Sequence, residues 1–327
     1  MKRVNRLLTG ALMLLFVLAG SGIATAKERM LLGTSSVGGT YYVLGGAWAK
    51  LINEKMPEVD ISVEVTGGPA TNMPLMTSKE MELGFLTTWL AGEGYTGTGA
   101  WTGGKKYDEI RAVFPMYASV LHIYTLEKLP IKKVQDFAGK HVTAGSPGST
   151  SDLAGKGLLK SLGINVSKYS SLPTGTAVST LRDGNCDGGF AVTGAPGPFM
   201  IELESTHEVH HISLTKEDVD KILTDNPYWS SGIIPAGTYK HQKGDITVIN
   251  FWNIAAAHKD ISEDIVYKLT KLTFEGRDAL MVAAPDMKQS LPENILKSTI
   301  PLHKGALKYY REAGIQIPDN LIPPEAK

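Results

Sequence analysis

The residues with the clearest chemical potential are two clusters of small hydroxyl-bearing and glycine residues. The first is GTSSVGGTYY, Gly33 to Tyr42, and the second is GSPGSTS, Gly145 to Ser151. Each follows a short apolar run and precedes a stretch with helical spacing. In the first, Leu44, Ala47, Trp48 and Leu51 recur at i, i+3, i+4 and i+7, one apolar helix face. A strand, a Gly/Ser/Thr turn and a helix start bring backbone N–H groups and hydroxyls to one point. The helix dipole favours negative charge there. Two such units could clamp one anionic ligand. Equally, each could be an ordinary βα turn, with Ser149 or Thr150 only capping its helix.

Catalytic patterns are weaker. HEVHH, from His207 to His211, matches the zinc-protease pattern H-E-x-x-H by letter. That chemistry needs both histidines on one helix face. Here the helical pattern ends near Ser205 and VHHISL reads as a strand. Strand residues four apart lie roughly 13 Å apart at about 3.3 Å per residue, too far to share a zinc. An exported zinc hydrolase using His207 and His211 is therefore a minor alternative, and no metal or cofactor is expected. The chain contains no G-x-S-x-G elbow and no Walker motif, and GTSSVGGTYY lacks the G-x-G-x-x-G spacing. The sole cysteine, Cys186, lies in the turn RDGNCDGG; it allows no intrachain disulfide and no cysteine-based zinc site.

The elements that must position these loops follow in order. Lys2, Arg3 and Arg6, the apolar run Leu7 to Gly20 and the A-x-A site Ala24-Thr25-Ala26 form a signal peptide, residues 1–26. The apolar run is too short for a membrane span. Removal of 26 residues from 327 leaves 301, and loses three basic and no acidic residues, so the net charge moves from +0 to −3. That balance, with no basic block, argues against a nucleic-acid partner. A periplasmic protein starting at Lys27 is expected, and a monomer.

Strands at the start of the chain, at Ile61–Thr66 and at Leu83–Thr88 alternate with helices, which predicts a parallel sheet. Ligands then bind beyond the carboxyl ends of the strands, a rim that includes residues 34–41, 66–72 and 87–89. Gly92 to Lys106 reads as a Gly/Thr-rich loop, a ligand lid or a surface excursion. Arg111–Tyr117 and Leu121–Leu126 read as extended segments leaving the first sheet. A second α/β unit begins at His141, with strands near Tyr169, Gly189–Thr193 and Val209–Leu214. The long run Ile246 to His258 could cross back between lobes. A helix over 262–280 and another near 303–313 end the chain. Trp89 and Trp252 read as core. The path predicts two α/β lobes with a hinge: residues 27–117 and 248–327 in the first lobe, 118–247 in the second.

Taken together, GGTYYVLGGAWAKLI, the TGG turn, SPGST, GNCDGGFAVTGAPGP, IPAGTY and PLHKGALKYYREAGI resemble a known family. The chain is similar to the TAXI-type solute receptors of TRAP transporters, over essentially all of its mature length. GGTYY and IPAGTY together carry the resemblance. It implies a type II periplasmic-binding-protein fold, two α/β lobes closing on a ligand in an interlobe cleft. It implies delivery of a small organic anion, such as glutamate or 2-oxoglutarate, to a sodium-driven TRAP permease of separate or fused subunits. A sensory receptor for a membrane histidine kinase is the alternative. Carried over by position, Ser35, Thr40 and Tyr41 would line the first lobe, with donors at Gly38 and Gly39 and with Thr87 and Thr88 on the same rim. Ser146, Gly148, Ser149 and Thr150 would bind a carboxylate from the second lobe. Thr176, Gly194 and Ala195 come next, and Tyr239 would close over the site. The chain departs from commoner members at GSTS, where many carry Gly-Thr-Arg.

Overall fold

The computed structural model describes residues 27–327; the proposed signal peptide lies outside them. The chain opens with β1 (Glu28–Gly33), α1 (Thr40–Lys55), β2 (Val59–Glu64), α2 (Pro69–Thr77), β3 (Leu83–Thr87) and α3 (Thr88–Thr96). β1 pairs in parallel with both β2 and β3, as the alternation of strands and helices predicts. β4 (Ile110–Leu126) then runs for 17 residues.

The second half repeats the plan: β5 (His141–Ala144), α4 (Thr150–Leu162), β6 (Lys168–Ser171), α5 (Thr174–Arg182), β7 (Gly188–Thr193) and α6 (Pro198–Thr206). β5 pairs in parallel with β6 and β7. β8 (Val209–His211), α7 (Lys216–Asp225) and β9 (Ser230–Ile234) lead to β10 (Ile246–His258). The chain finishes with α8 (Glu263–Glu275), α9 (Arg277–Ala283) and α10 (Lys304–Glu312).

The sheet order is β2-β1-β3-β10-β4-β7-β5-β6. Two parallel halves are thus joined through one antiparallel pair, β4 and β10. The two extended segments expected at Arg111–Tyr117 and Leu121–Leu126 are one strand, because β10 pairs along it from Ile110 to Val120 and β7 and β8 continue the pairing. The β4–β10 ladder is interrupted between Trp252 and Ile254, where the partners jump from Ala118 to Pro115. Pro115 brings no N–H to a ladder, and a bulge beside it lets the strand bend. Asn253 and Tyr117 lie at this irregularity.

Apolar residues explain where the elements pack. Leu44, Trp48 and Ile52 of α1 join Leu32, Phe85 and Phe114 in the core of the first half. Trp48 is 1% exposed, and its indole N–H donates to Thr273 Oγ1 at 2.7 Å. Burying a side chain such as Leu44 or Phe85 contributes about 1.5–3 kcal/mol. A second cluster gathers Phe137, Val142, Leu158 and Phe190. Trp89 of α3 belongs to that cluster, at 4.9 Å from Trp229 and 5.6 Å from Phe251, ring centre to ring centre. Trp252 is half-buried beneath the Lys297 ammonium.

Two sequence readings change. Gly92 and Gly94 are helical, inside α3, because that helix packs too closely for a side chain. A Cβ at Gly94 would stand 2.6 Å from Met73 Sδ. Trp101 of the same region stacks on Tyr107 and donates to Glu93, so this segment is packed against the body of the protein. The helix expected over 262–280 is two helices broken at Gly276, where a Cβ would meet Leu51 at 2.4 Å.

Candidate functional site

The carboxyl ends of β1, β3, β5 and β7 meet around one cavity beside the β4–β10 pair. Its volume, measured as the space open to the centres of water-sized spheres, is about 40 Å³. At about 10–15 Å³ for one such sphere, this suits a compact solute. Ser35, Gly39, Thr40, Tyr41 and Thr87 line it from the first half, and Ser149, Thr150, Ser151, Thr174 and Thr193 from the second. Tyr117, Ser119 and Asn253 supply the part of the wall contributed by β4 and β10. Phe199, Val192 and Pro69 add apolar surface.

Local sequence dictates these positions. Gly39 and Gly68 precede α1 and α2 without a side-chain cap; Thr40 N donates to Thr193 Oγ1 at 3.4 Å, and Pro69 brings no N–H of its own. Gly148 takes a left-handed φ of 78° in the turn before α4. Gly68, at φ 101°, lets the TGG turn approach the SPGST turn, since a Cβ there would lie 3.3 Å from Ser149 Cα. Thr87 Oγ1 accepts from Leu90 N, and Ser149 Oγ accepts from Asp152 N. Both hydroxyls cap helices and line the cavity as well.

No charged side chain lines this cavity among the described residues. Instead the N-terminal ends of α1, α2, α3, α4 and α5 reach it, at Gly39–Tyr41, Pro69, Thr87, Ser149–Ser151 and Thr174. Each helix start carries roughly half a positive charge in unpaired N–H groups. A wall built of helix starts and hydroxyls suits an anionic group held by neutral donors.

Contacts between the two halves close the cavity. Thr40 Oγ1 lies 2.6 Å from Thr193 Oγ1, and Ser36 Oγ lies 3.1 Å from Thr174 Oγ1. Ala195 N donates to Asp286 Oδ2 at 2.8 Å. Asp286 is 9% exposed, and burial raises its carboxyl above the ordinary aspartate range against the pull of the Ala195 N–H and Lys288. Burial also holds Tyr41 and Tyr117 well above the ordinary phenol range, so both are neutral donors. Tyr41 donates to Asn253 Oδ1 at 2.5 Å, and Asn253 Nδ2 donates to Tyr117 O and to Ser119 Oγ.

The structure brings Ser35, Gly39, Thr40, Tyr41, Thr87, Ser149 and Thr150 onto the cavity wall. Gly38, Ser146 and Gly148 shape the turns behind it, and Ser146 O accepts from Ser149 N. Thr88 is buried in α3, its carbonyl accepting from the Thr299 hydroxyl. Thr176 is exposed on α5, two residues beyond the helix start that reaches the cavity; Thr174 lines the wall in its place. Gly194 and Ala195 lie against Asp286, off the wall. Tyr239 does not cover the cavity. It is 4% exposed, accepts from Gly197 N at 2.7 Å and sits 2.6 Å from His122 Nε2, where it steadies the start of α6 behind Phe199.

The sequence reading misses Ser36, Tyr117, Ser119, Ser151, Thr174, Thr193 and Asn253. The available signal for Asn253 was a polar residue set among apolar neighbours, in FWNIAAA. His207 ends α6 beside the Thr206 hydroxyl, and His211 on β8 pairs with buried Glu204 at 2.8 Å. Among the described residues no group of three or more His, Cys, Asp or Glu side chains is placed to hold a metal ion.

Residues 32–314 match the model of the NMT1-like family, and the chain belongs to that family. Among solved structures it is similar to MatC from Rhodopseudomonas palustris with bound malate, at 15% identity, over 88% of this chain and 97% of that one, with a TM-score of 0.56. It is similar to the periplasmic binding protein BugD at 13% identity, over 84% and 87% of the two chains, TM-score 0.53. A structure described as a periplasmic transporter matches at 14% identity, over 90% and 94%, TM-score 0.52. The fold is therefore the two-lobed α/β fold of periplasmic binding proteins.

Proposed function

We propose that this member of the NMT1-like family is a periplasmic solute receptor. It closes two lobes, residues 27–117 with 248–327 and residues 118–247, on one small organic anion. The observation that carries this reading is a cavity free of charged side chains, walled from both halves, on which five helix N-termini converge. Such a wall stabilises negative charge through oriented N–H groups and hydroxyls, each hydrogen bond to a charged group contributing about 1.5–3 kcal/mol. Malate in MatC is a precedent for the ligand class on this fold. The receptor binds and releases its solute without altering it.

The finer assignment follows the GGTYY and IPAGTY motifs: a TAXI-type receptor that hands an acidic amino acid or dicarboxylate to a sodium-driven TRAP permease. The signal-peptide pattern over residues 1–26 and the fold shared with periplasmic binding proteins support export.

A thermal-shift screen of the chain from Lys27 onward tests the receptor reading. The panel is L-glutamate, 2-oxoglutarate, L-malate, pyruvate, phosphate and glucose. A ligand at a hundred times its Kd adds about 2.7 kcal/mol, or roughly 5 °C at about 2 °C per kcal/mol for a chain of this size. A shift confined to carboxylates is the expected result. A shift with glucose alone would refute the anion reading. Co-purification of tagged permease subunits with the ligand-saturated receptor tests the TRAP partner.

A further inference from the structure

Among the described residues, six buried side-chain polar atoms have no hydrogen-bond partner, and the hydroxyl of Tyr117 belongs to the one residue of that set on the cavity wall. Tyr117 is fully buried, at the irregularity in the β4–β10 ladder. Its neighbours are already committed. Thr40 Oγ1 is engaged with Thr193 Oγ1, and Ser119 Oγ accepts from Asn253 Nδ2. The Tyr117 carbonyl is taken by the same Asn253 amide at 2.7 Å, which fixes the backbone from which the ring extends. A buried hydroxyl is seldom left unpaired in a native protein, because its lost hydration is not replaced. Burial, and after it the Asp286 carboxyl, oppose ionisation of the phenol against the pull of the nearby Thr40 and Ser119 hydroxyls, so it offers a hydrogen and not a negative charge.

Resting on the receptor reading, we propose that the Tyr117 hydroxyl donates its hydrogen to an acceptor atom of the bound solute and thereby selects which solutes are retained. The acceptor is an oxygen of the solute facing β4. A solute with an alkyl or ammonium group at that point leaves the hydroxyl unpaired in a dry site, and is rejected on that ground. Tyr117 differs in this from Tyr41, whose hydroxyl is spent on Asn253.

The test is Tyr117→Phe, compared with wild type in two measurements. In calorimetric titration with 2-oxoglutarate, L-glutamate, L-malate and pyruvate, the variant is expected to bind every probe that wild type binds about tenfold more weakly or worse. In ligand-free thermal unfolding its midpoint is expected to stay within about 1 °C of wild type, because no protein hydrogen bond is lost. Unchanged affinity, or a ligand-free midpoint lower by several degrees, overturns the assignment. Should wild type bind none of the four probes, the organic-acid reading fails separately. A crystal structure of the protein as purified then decides Tyr117: a non-protein acceptor within hydrogen-bond distance of its Oη supports the proposal, and an Oη paired with Thr40 or Ser119 overturns it.

Discussion

Gly194→Ala adds one methyl group and is expected to disable closure. The new Cβ would lie 2.3 Å from Asp286 Oδ2 and 3.4 Å from its Cγ. That oxygen is the acceptor for Ala195 N at 2.8 Å. The carboxyl is buried and cannot swing far without losing the bond. A hydrogen bond to a charged acceptor contributes about 1.5–3 kcal/mol. Asp286 belongs to the segment after β10, and Ala195 follows β7, so the bond joins the two proposed lobes. Opening breaks it in any case, and only the closed form pays for the methyl group. Loss of 1.5–3 kcal/mol from the closed form alone raises the apparent Kd by about 10- to 150-fold. Titration calorimetry with the carboxylate found in the thermal-shift screen reads that change, and ligand-free urea unfolding reads the stability of the lobes. The double variant Gly194→Ala/Asp286→Ala completes the cycle: its Kd is expected to match that of Asp286→Ala, since the clash needs both groups. Strictly additive losses, or wild-type affinity in Gly194→Ala, would refute the reasoning.

Tyr41→Phe leaves Asn253 Oδ1 buried without its donor, at a cost of about 1–3 kcal/mol; calorimetry of the ligand-free protein should show a midpoint about 2–6 °C lower, and an unchanged midpoint removes that bond from the account. His122 is buried, and desolvation lowers its pKa from 6.5 to about 4. The unfolded chain takes up a proton between those values and the folded one does not, so stability falls as pH drops from 6.5 towards 4, by up to about 3 kcal/mol from this residue. Urea midpoints at pH 7 and pH 5 check the sign, and His122→Gln should flatten the slope. Burial pushes the Cys186 thiol up to about 11, so at pH 8 it should react with iodoacetamide far more slowly in the folded than in the unfolded protein by mass spectrometry, and Cys186→Ser should bind as wild type does.

The two βα units were legible because their signals are local. Apolar runs, Gly/Ser/Thr turns and helix periodicity all lie within about twenty residues, and α1, α4 and their preceding loops fall where that pattern puts them. The return of β10 was legible from its length. What was not legible depends on partners distant in sequence. Tyr117 and Asn253 are 136 residues apart and read singly as polar interruptions of strands; only antiparallel pairing makes them one wall. Thr174 lines the wall where the resemblance implies Thr176, because a helix start is uncertain by a residue or two in sequence. Tyr239 carried a motif, but its hydroxyl serves the α6 start, a role set by the fold around His122 and Gly197. Gly92 and Gly94 read as loop because their constraint is the thickness of Met73 and Thr299 against α3.

The bulge in the β4–β10 ladder puts two duties on the same few atoms. The partners jump across Asn253 and again between Ala255 and Ala256, and the side chains of Asn253 and Tyr117 stand on the cavity wall at the first of these jumps. If the proposed lobes bend at this bulge, flexibility and recognition are not separately adjustable here. In the proposed receptor, a substitution that stiffens the ribbon would also re-aim the groups that meet the solute, and one that retunes those groups would also change how easily the lobes bend. Diversification of such a receptor would be expected to proceed on the helix-start loops, where cargo preference can drift without altering the β4–β10 ribbon.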